Sequence, residues 1–165
     1  MNYNTIKYFS TVNGNGVRTA LFVSGCNLHC DGCFNSDAWN FNSGKVLTDK
    51  KINDILASIE PEYIDGISIL GGEPLDKRNT HGVLHVLEKF REHFGNKKDV
   101  WLWTGYYIED CMKDEVRKKI LDLCDFVVDG PFEKDKWNAS LTYRGSTNQR
   151  ILKKDKNGKF IRTIQ

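Results

Sequence analysis

The chain has 165 residues, the usual size of one domain, which excludes a second domain of ordinary size. Hydrophobic residues make up 39% of the chain and aromatic residues 12%, proportions that exclude an intrinsically disordered protein. Lys and Arg total 24 against 22 Asp and Glu, and the net charge of +2 offers no bulk electrostatic attraction to nucleic acid. We therefore predict one domain with a buried core and no nucleic-acid partner.

The first half of the chain contains one predicted strand and one predicted helix. Thr19–Val23 is a short apolar run, typical of a buried strand, and it leads into a loop that begins at Cys26. No element is assigned before this run. Thr48 is a suitable N-cap for a helix that Pro61 ends. The apolar residues along one face of this helix are Ile52, Ile55, Leu56 and Ile59.

The second half of the chain alternates strands with helices. Gly66–Leu70 and Val100–Trp103 are predicted strands, and the helix between them ends at Gly95. A third helix precedes the predicted strand Phe126–Val128, and Arg150–Leu152 is a further candidate strand. The apolar residues that mark these helices are Val83, Val86, Leu87, Phe90 and Phe94 in the first and Val116, Ile120 and Leu123 in the second.

Apolar strands that alternate with helices indicate an α/β domain with a parallel sheet covered by helices. In such sheets the loops after the carboxyl ends of the strands share one edge, where ligands bind. We therefore expect Cys26, Gly71, Gly105 and Gly130 to converge. No apolar run approaches the roughly 20 residues of a membrane-spanning helix, and no secretory signal is visible. A cytoplasmic location without membrane contact is expected.

Three of the five cysteines, Cys26, Cys30 and Cys33, lie within one loop, where they can surround one metal centre. Their spacing leaves zinc and an iron-sulfur cluster both open. A structural zinc site needs a fourth protein ligand, and the candidates His29, Cys111 and Cys124 are single residues without a second ligand pair. A 4Fe-4S cluster held by three thiolates would keep one iron open to a small molecule, which favours chemistry over simple electron transfer.

The C-x3-C-x2-C spacing of these cysteines resembles the signature of the radical S-adenosylmethionine enzymes. Gly71, Gly72 and Glu73, at the end of a predicted strand, are similar to the Gly-Gly-Glu motif of that superfamily. Further segments resemble one subgroup, the activating proteins of anaerobic (class III) ribonucleoside-triphosphate reductase. These segments are Asn13–Arg18, Phe22–Cys26, Trp103–Tyr106, Val128–Phe132 and Arg144–Arg150, in matching order and spacing.

The resemblance implies a fold and a domain organisation. The implied fold is an α/β single-domain partial (open) βα barrel with a mostly parallel sheet, of the radical S-adenosylmethionine type. The single domain spans residues 1–165, with a core over about 13–152 and a C-terminal tail over about 153–165. Because a full eight-stranded βα barrel takes roughly 250 residues, a chain of this length is expected to need its protein partner to enclose the site.

The resemblance also implies a reaction, its cofactors and its partners. Such proteins use a reduced 4Fe-4S cluster to cleave S-adenosyl-L-methionine into methionine and a 5'-deoxyadenosyl radical. That radical takes a hydrogen from a glycine near the C-terminus of the large subunit of the anaerobic reductase, which leaves a glycyl radical. Reduced flavodoxin or a similar protein supplies the electron. The chain is thus expected to be a glycyl-radical-activating oxidoreductase.

Positions that match the family motifs supply the expected site. Cys26, Cys30 and Cys33 are the expected iron ligands, and catalysis would run through the cluster they hold. The residues expected to contact S-adenosylmethionine are Gly32, Cys33 and Phe34 through their backbone and Gly71, Gly72 and Glu73 at its methionine end. Glycines let the backbone approach a ligand closely, and a carboxylate complements an ammonium group. The residue before the third cysteine, often aromatic in the superfamily, is glycine here, as in the subgroup.

Alternatives to this interpretation remain open at the level of the residues. One is activation of a different glycyl-radical enzyme, such as a formate-lyase, and another is a zinc-stabilised binding module without turnover. Cys111 and Cys124 are expected to be bystanders in the core or on the surface. Arg144 and Arg150 are expected either to contact the cofactor carboxylate or the partner, or to be ordinary surface residues.

Overall fold

One mixed β-sheet forms the centre of the fold in a computed structural model that describes residues 1–163. Its strands within that range are β1 (Asn2–Ser10), β2 (Arg18–Val23), β3 (Lys45–Val46), β4 (Gly66–Gly71), β5 (Asp99–Trp103), β6 (Phe126–Asp129), β7 (Arg150–Lys154) and β8 (Phe160–Arg162). They lie in the order β3-β1-β2-β4-β5-β6-β7-β8. The central strands β2, β4, β5 and β6 run parallel, and the outer strands pair antiparallel on both sides.

Helices connect the parallel strands. They are α1 (Asp49–Ile59), α2 (Thr80–Phe94), α3 (Ile108–Cys111) and α4 (Glu115–Asp122) within the described range. The predicted start of α1 is confirmed, because the Thr48 side chain accepts a hydrogen bond from the backbone N–H of Lys51 at 3.2 Å. The predicted end of α2 is confirmed at Gly95, whose φ of 57° suits a residue without a side chain.

The helices pack against only one of the two faces of the sheet. Alternate residues of a strand point to opposite faces, and Leu21 and Ile69 pack in the main core with α1, α2 and α4. Phe22 and Leu70 lie on the other face, where Trp103 packs against them. The helices therefore cover one face, and the other face presents apolar side chains to a cleft. The α/β class and the parallel central strands are confirmed, while the partial-barrel shape stays a prediction.

Strand β1 is the main element that the sequence pattern does not indicate. Only Tyr3 and Ser10 of its nine residues are buried, so the apolar alternation of a half-buried strand is missing. Irregular pairing adds to this, because the register with β2 shifts twice along the strand. Backbone pairing with β2 and β3, together with the packing of Tyr3 and Ile6 against the main core, holds β1 in the sheet.

The C-terminal part of the sheet is an antiparallel hairpin. The candidate strand at Arg150–Leu152 is confirmed and extends to Lys154, and β8 pairs with it after a turn. The predicted third helix is also confirmed as α4, and the one-turn helix α3 precedes it. The longest helix, α2, has 15 residues, and none in the described part of the chain combines the length and apolar character needed to cross a membrane.

Candidate functional site

A cleft of about 150 Å³ lies where the carboxyl ends of the parallel strands meet. Cys26, Gly71, Gly105 and Gly130, which lie at or just after the ends of four different strands, all line it. The predicted convergence of these loops is thus confirmed. The apolar wall of the cleft consists of Phe22, Leu70 and Trp103. A reacting group in this cleft would meet polar loops on one side and the apolar face of the sheet on the other.

The three clustered cysteines all line this cleft as free thiols. Cys26 is buried, whereas Cys30 and Cys33 are half-buried. A turn closed by the hydrogen bond from the Cys33 N–H to the Cys30 carbonyl, at 3.1 Å, brings these two residues back toward the cleft. Within residues 1–163, no three His, Cys, Asp or Glu side chains are grouped as ligands of one metal ion.

The Cys26 thiol sits in a local environment with opposing effects on its charge. Burial raises the pKa of the Cys26 thiol, while hydrogen bonds from the backbone of Leu28 and His29 act in the opposite direction. His29 adopts a left-handed φ of 47°, and its ring stacks on Trp39 with 4.4 Å between centroids. Backbone hydrogen bonds directed at a thiolate are typical of iron-sulfur sites, so the donor set fits a cluster.

The Gly-Gly-Glu turn is fastened directly to the loop that carries Cys26. The Glu73 N–H donates to the Gly25 carbonyl at 2.8 Å, and a Cβ at Gly72 would collide with that same carbonyl oxygen. Gly71 has a φ of 113°, a conformation that side chains disfavour. Both glycines are therefore required by geometry, since a side chain at Gly72 would push the turn away from the cysteine loop and one at Gly71 would collide with the backbone of β2 at Phe22 and Val23.

The Glu73 side chain is buried and already hydrogen-bonded within the protein. Its Oε1 accepts from the Leu75 N–H at 2.8 Å and from the Thr104 hydroxyl at 2.7 Å, and its Oε2 accepts from the Gly105 N–H at 2.7 Å. Burial raises the pKa of Glu73 to about 7, although these three donors favour the carboxylate. Glu73 thus titrates near neutral pH at the wall of the cleft.

The raised pKa predicts that Glu73 makes stability depend on pH. Between the ordinary pKa of 4.5 and about 7, the unfolded chain loses a proton that the folded chain keeps. The free energy of unfolding then falls as pH rises, so this contribution is full below the ordinary pKa and lost above about 7. We expect Glu73→Gln to flatten this slope in urea unfolding at pH 4.5 to 7.5, at matched iron content.

The matched control for this titration is Glu88→Gln, which changes an exposed glutamate on α2. It should keep the pH slope of the unchanged protein. Only the dependence of the free energy of unfolding on pH is diagnostic. The amide group introduced by Glu73→Gln would place a second donor opposite the Gly105 N–H, and this would lower the free energy of unfolding at every pH. Equal slopes in the unchanged protein and Glu73→Gln would contradict the raised pKa.

The cleft is also lined by one further predicted residue and by residues that the sequence did not indicate. Phe34 lines the cleft and is 92% exposed, whereas Gly32 lines an adjoining hollow instead. Sequence reasoning did not identify Thr104 as the partner of Glu73, nor Gln149, which lines the cleft and donates to the Gly130 carbonyl at 3.1 Å. The sequence feature that could have identified Thr104 is its position directly after a predicted strand.

The remaining candidates lie away from the cleft lining. Cys111 and Cys124 are buried free thiols in the main core, as expected of bystanders. Arg150 donates to the buried Asp129 and, at 3.0 and 2.7 Å, to Glu109. Arg144 donates to the Gln149 carbonyl at 2.8 Å. Both arginines therefore fasten the loops around the end of β6.

The fold places the three cysteines at one cleft, and a family comparison supplies the class of protein. A family model described as "4Fe-4S single cluster domain" matches residues 12–152, which is most of the chain. The chain is thus a 4Fe-4S single-cluster domain.

Relatives define the family more narrowly. A protein of Pasteurella multocida (strain Pm70) is 39% identical over 157 residues, 93% of this chain and 98% of its own length. A protein of Enterobacteria phage T4 is 36% identical over 151 residues, which cover 92% of this chain and 93% of its own length. A protein of Escherichia coli (strain K12) is 37% identical over 151 residues, which cover 90% of this chain and 96% of its own length. All three are named anaerobic ribonucleoside-triphosphate reductase-activating protein. This chain belongs to the family of anaerobic ribonucleoside-triphosphate reductase-activating proteins.

Proposed function

We propose that this chain activates an anaerobic ribonucleoside-triphosphate reductase by generating a glycyl radical on its large subunit. The observation that carries the proposal is one cleft lined by three free thiols and by the Gly-Gly-Glu turn. The names of the relatives supply the target. The reaction would take place in the cytoplasm, with reduced flavodoxin or a similar protein as electron donor, in a partial barrel of the radical S-adenosylmethionine type.

Cys26, Cys30 and Cys33 would hold the 4Fe-4S cluster and leave one iron without a protein ligand. When bound and reduced, the cluster would supply the electron for reductive cleavage of S-adenosylmethionine, and a hydrogen atom of the target glycine would end on the 5'-deoxyadenosine product. The burial of Cys26 and its backbone hydrogen bonds support this ligand set. Its thiolate would need those hydrogen bonds, because burial alone disfavours the charge.

Glu73 would receive the ammonium group of S-adenosylmethionine. An ionised carboxylate has about four acceptor sites, and donors in the described part of the chain use two on Oε1 and one on Oε2. One acceptor site on Oε2 is left for a cationic ligand. An ammonium placed there would favour the ionised form of Glu73, so binding would be coupled to loss of the carboxyl proton.

The cleft is shielded from water on one side and open to solvent on another. Phe22, Leu70 and Trp103 supply an apolar wall, which would keep water from a reactive primary radical. Phe34, which also lines the cleft, is 92% exposed, so the cleft is open to solvent there. The bound reductase would close this open side during the reaction.

The proposal is tested by product analysis under strictly anaerobic conditions. The chain is reconstituted with iron and sulfide, reduced, and given S-adenosylmethionine with and without the reductase. We expect a brown protein with about four iron per chain, formation of 5'-deoxyadenosine and methionine, and a glycyl radical signal in the electron paramagnetic resonance spectrum of the reductase.

Different outcomes separate the proposal from its alternatives. Absence of 5'-deoxyadenosine and methionine in both reactions would reject the chemistry. A colourless protein with one tightly held zinc would instead support a binding module without turnover. A glycyl radical formed on a formate-lyase, and none on the reductase, would assign a different target.

A further inference from the structure

The segment between the Gly-Gly-Glu turn and α2 carries two buried polar side chains, Asp76 and Asn79, which we call the clasp. Asp76 is 3% exposed and Asn79 is 2% exposed. Neither residue lines the cleft. A buried polar side chain is costly to the fold unless it is hydrogen-bonded, so the partners of these two residues show what the clasp holds.

Asn79 connects the Gly-Gly-Glu turn to the cysteine loop on the side before Cys26. Its side-chain Nδ2 donates to the Ser24 carbonyl at 3.0 Å and to the Gly25 carbonyl at 3.3 Å. The same nitrogen donates to the Glu73 carbonyl at 3.0 Å. One amide group therefore contacts the backbone of both segments that carry the expected cluster and ligand contacts.

The Asn79 side chain is not used in the way its position in the chain suggests. Asn79 directly precedes α2, where an asparagine side chain ordinarily accepts a hydrogen bond from the first turn of the helix. Within residues 1–163, the Asn79 side chain accepts no such capping bond. The amide is turned toward the cysteine loop instead, so its contacts there replace the usual stabilisation of the helix start.

Asp76 contacts the cysteine loop on the other side of Cys26. Its Oδ2 accepts from the Asn27 side-chain Nδ2 at 2.8 Å, and its Oδ1 accepts from the Arg78 N–H at 3.0 Å. Asn27 directly follows Cys26, whereas the loop carbonyls bonded to Asn79 directly precede it. The clasp therefore holds the loop on both sides of an expected iron ligand.

We propose that the clasp fixes the position of Glu73 relative to Cys26, so that a ligand bound at Glu73 meets the cluster in one geometry. This inference rests on the proposed function and assigns positioning residues to the same site. Cys26 and Glu73 follow different strands, so their relative position depends on contacts between the two loops. A displacement of about 1 Å between reacting groups can slow a reaction about 100-fold. Asp76 and Asn79 would act through the loops and would not touch the ligand.

The first test changes Asn27, the exposed partner of the clasp, because its replacement leaves the core intact. Asn27→Asp places a carboxylate opposite the Asp76 carboxylate and turns a hydrogen bond into a repulsion. We expect the reconstituted variant to keep its iron content. Its dissociation constant for S-adenosylmethionine, measured by anaerobic equilibrium dialysis, should rise about 10-fold or more, as when residues that orient metal ligands are changed.

Combining Asn27→Asp with Asp76→Asn should restore tight binding. In this exchanged pair the amide donates to the carboxylate in the reverse direction, and the amide oxygen still accepts from the Arg78 N–H. The charge introduced beside Cys26 is present in both the single variant and the exchanged pair. Recovery therefore assigns the effect to the hydrogen bond and not to a charge near the cluster.

Two further measurements separate positioning from a general loss of structure. At saturating S-adenosylmethionine, Asn27→Asp should still form 5'-deoxyadenosine about 10-fold more slowly or worse, because full occupancy does not restore alignment. The electron paramagnetic resonance spectrum of its reduced cluster should change less on addition of S-adenosylmethionine than that of the unchanged chain. The exchanged pair should recover both properties.

Matched controls account for charge and for stability. Asn42→Asp adds the same charge at an exposed residue of the same loop, outside the cleft lining, and should bind S-adenosylmethionine within about twofold of the unchanged chain. Asn79→Ala removes the other half of the clasp and is compared with Val86→Ala, which shortens a buried side chain of α2 in the main core. Both should lower the urea unfolding midpoint, but only Asn79→Ala should weaken binding and slow the reaction.

Specific results would overturn the inference. One is binding and turnover by Asn27→Asp equal to those of the unchanged chain. Another is an equal loss in Asn27→Asp and in the exchanged pair, which would assign the effect to charge near the cluster. A third is an equal loss of binding in Asn79→Ala and Val86→Ala, which would reduce the clasp to a source of stability. Failure of the proposed function is distinguishable, because the unchanged chain would then form no 5'-deoxyadenosine.

Discussion

Replacing Cys30 with alanine is expected to abolish assembly of the 4Fe-4S cluster. Cys30 is one of three free thiols that line the cleft, and a cluster with two remaining thiolates would lose a further iron ligand. We expect the iron content after anaerobic reconstitution to fall from about four per chain to near zero. The brown colour and the formation of 5'-deoxyadenosine should disappear together.

The matched control is Cys111→Ala, which removes a buried thiol of the main core. Burial raises the pKa of Cys111 to about 12, so this thiol stays protonated and is a poor metal ligand. The variant should keep the full iron content, with a modest loss of stability from the small void. Equal iron loss in Cys30→Ala and Cys111→Ala would contradict the ligand assignment.

Replacing Arg18 with methionine is expected to lower the free energy of unfolding by about 3 kcal/mol or more. The Arg18 side chain is fully buried and forms an ion pair with Asp99. Its guanidinium donates to the Ser68 hydroxyl at 2.8 Å and to the carbonyls of Asn15, Ile67 and Asp99 at 3.0, 2.9 and 3.1 Å. Methionine fills similar space but leaves these acceptors without a donor.

The measurement is urea unfolding of Arg18→Met beside Arg162→Met, which changes an exposed arginine on β8. The control should unfold within about 0.5 kcal/mol of the unchanged chain. Arg18→Lys should fall between the two, because it keeps the charge but cannot donate to four acceptors at once. A loss from Arg18→Met no greater than that from Arg162→Met would show that the buried network contributes little.

These two predictions divide the family motifs into two kinds. The cysteine loop and the Gly-Gly-Glu turn line the cleft and carry the proposed chemistry. The Asn13–Arg18 segment has a structural role instead. The Ser68 hydroxyl accepts a hydrogen bond from Arg18 and donates one to the Asn13 carbonyl at 2.6 Å, so these bonds hold the loop before β2 against β4. A segment that identifies a family therefore need not contact the ligand.

The sequence by itself determined the features that depend only on residues close together along the chain. The spacing of Cys26, Cys30 and Cys33 is a property of one loop, and the helix and strand patterns repeat within a few residues. The convergence of the strand ends also followed, because parallel strands linked by helices must end at the same edge of a sheet.

Only the tertiary structure decided which distant residues meet. Glu73 accepts hydrogen bonds from Thr104 and Gly105, and that pairing depends on the register of β4 against β5. Arg18 reaches Asp99, which lies 81 residues further along the chain. Strand β1 is not indicated by the sequence because its register with β2 shifts twice, so its buried side chains do not alternate. Contacts of this kind follow from packing across the whole sheet, and a local sequence pattern carries no information about them.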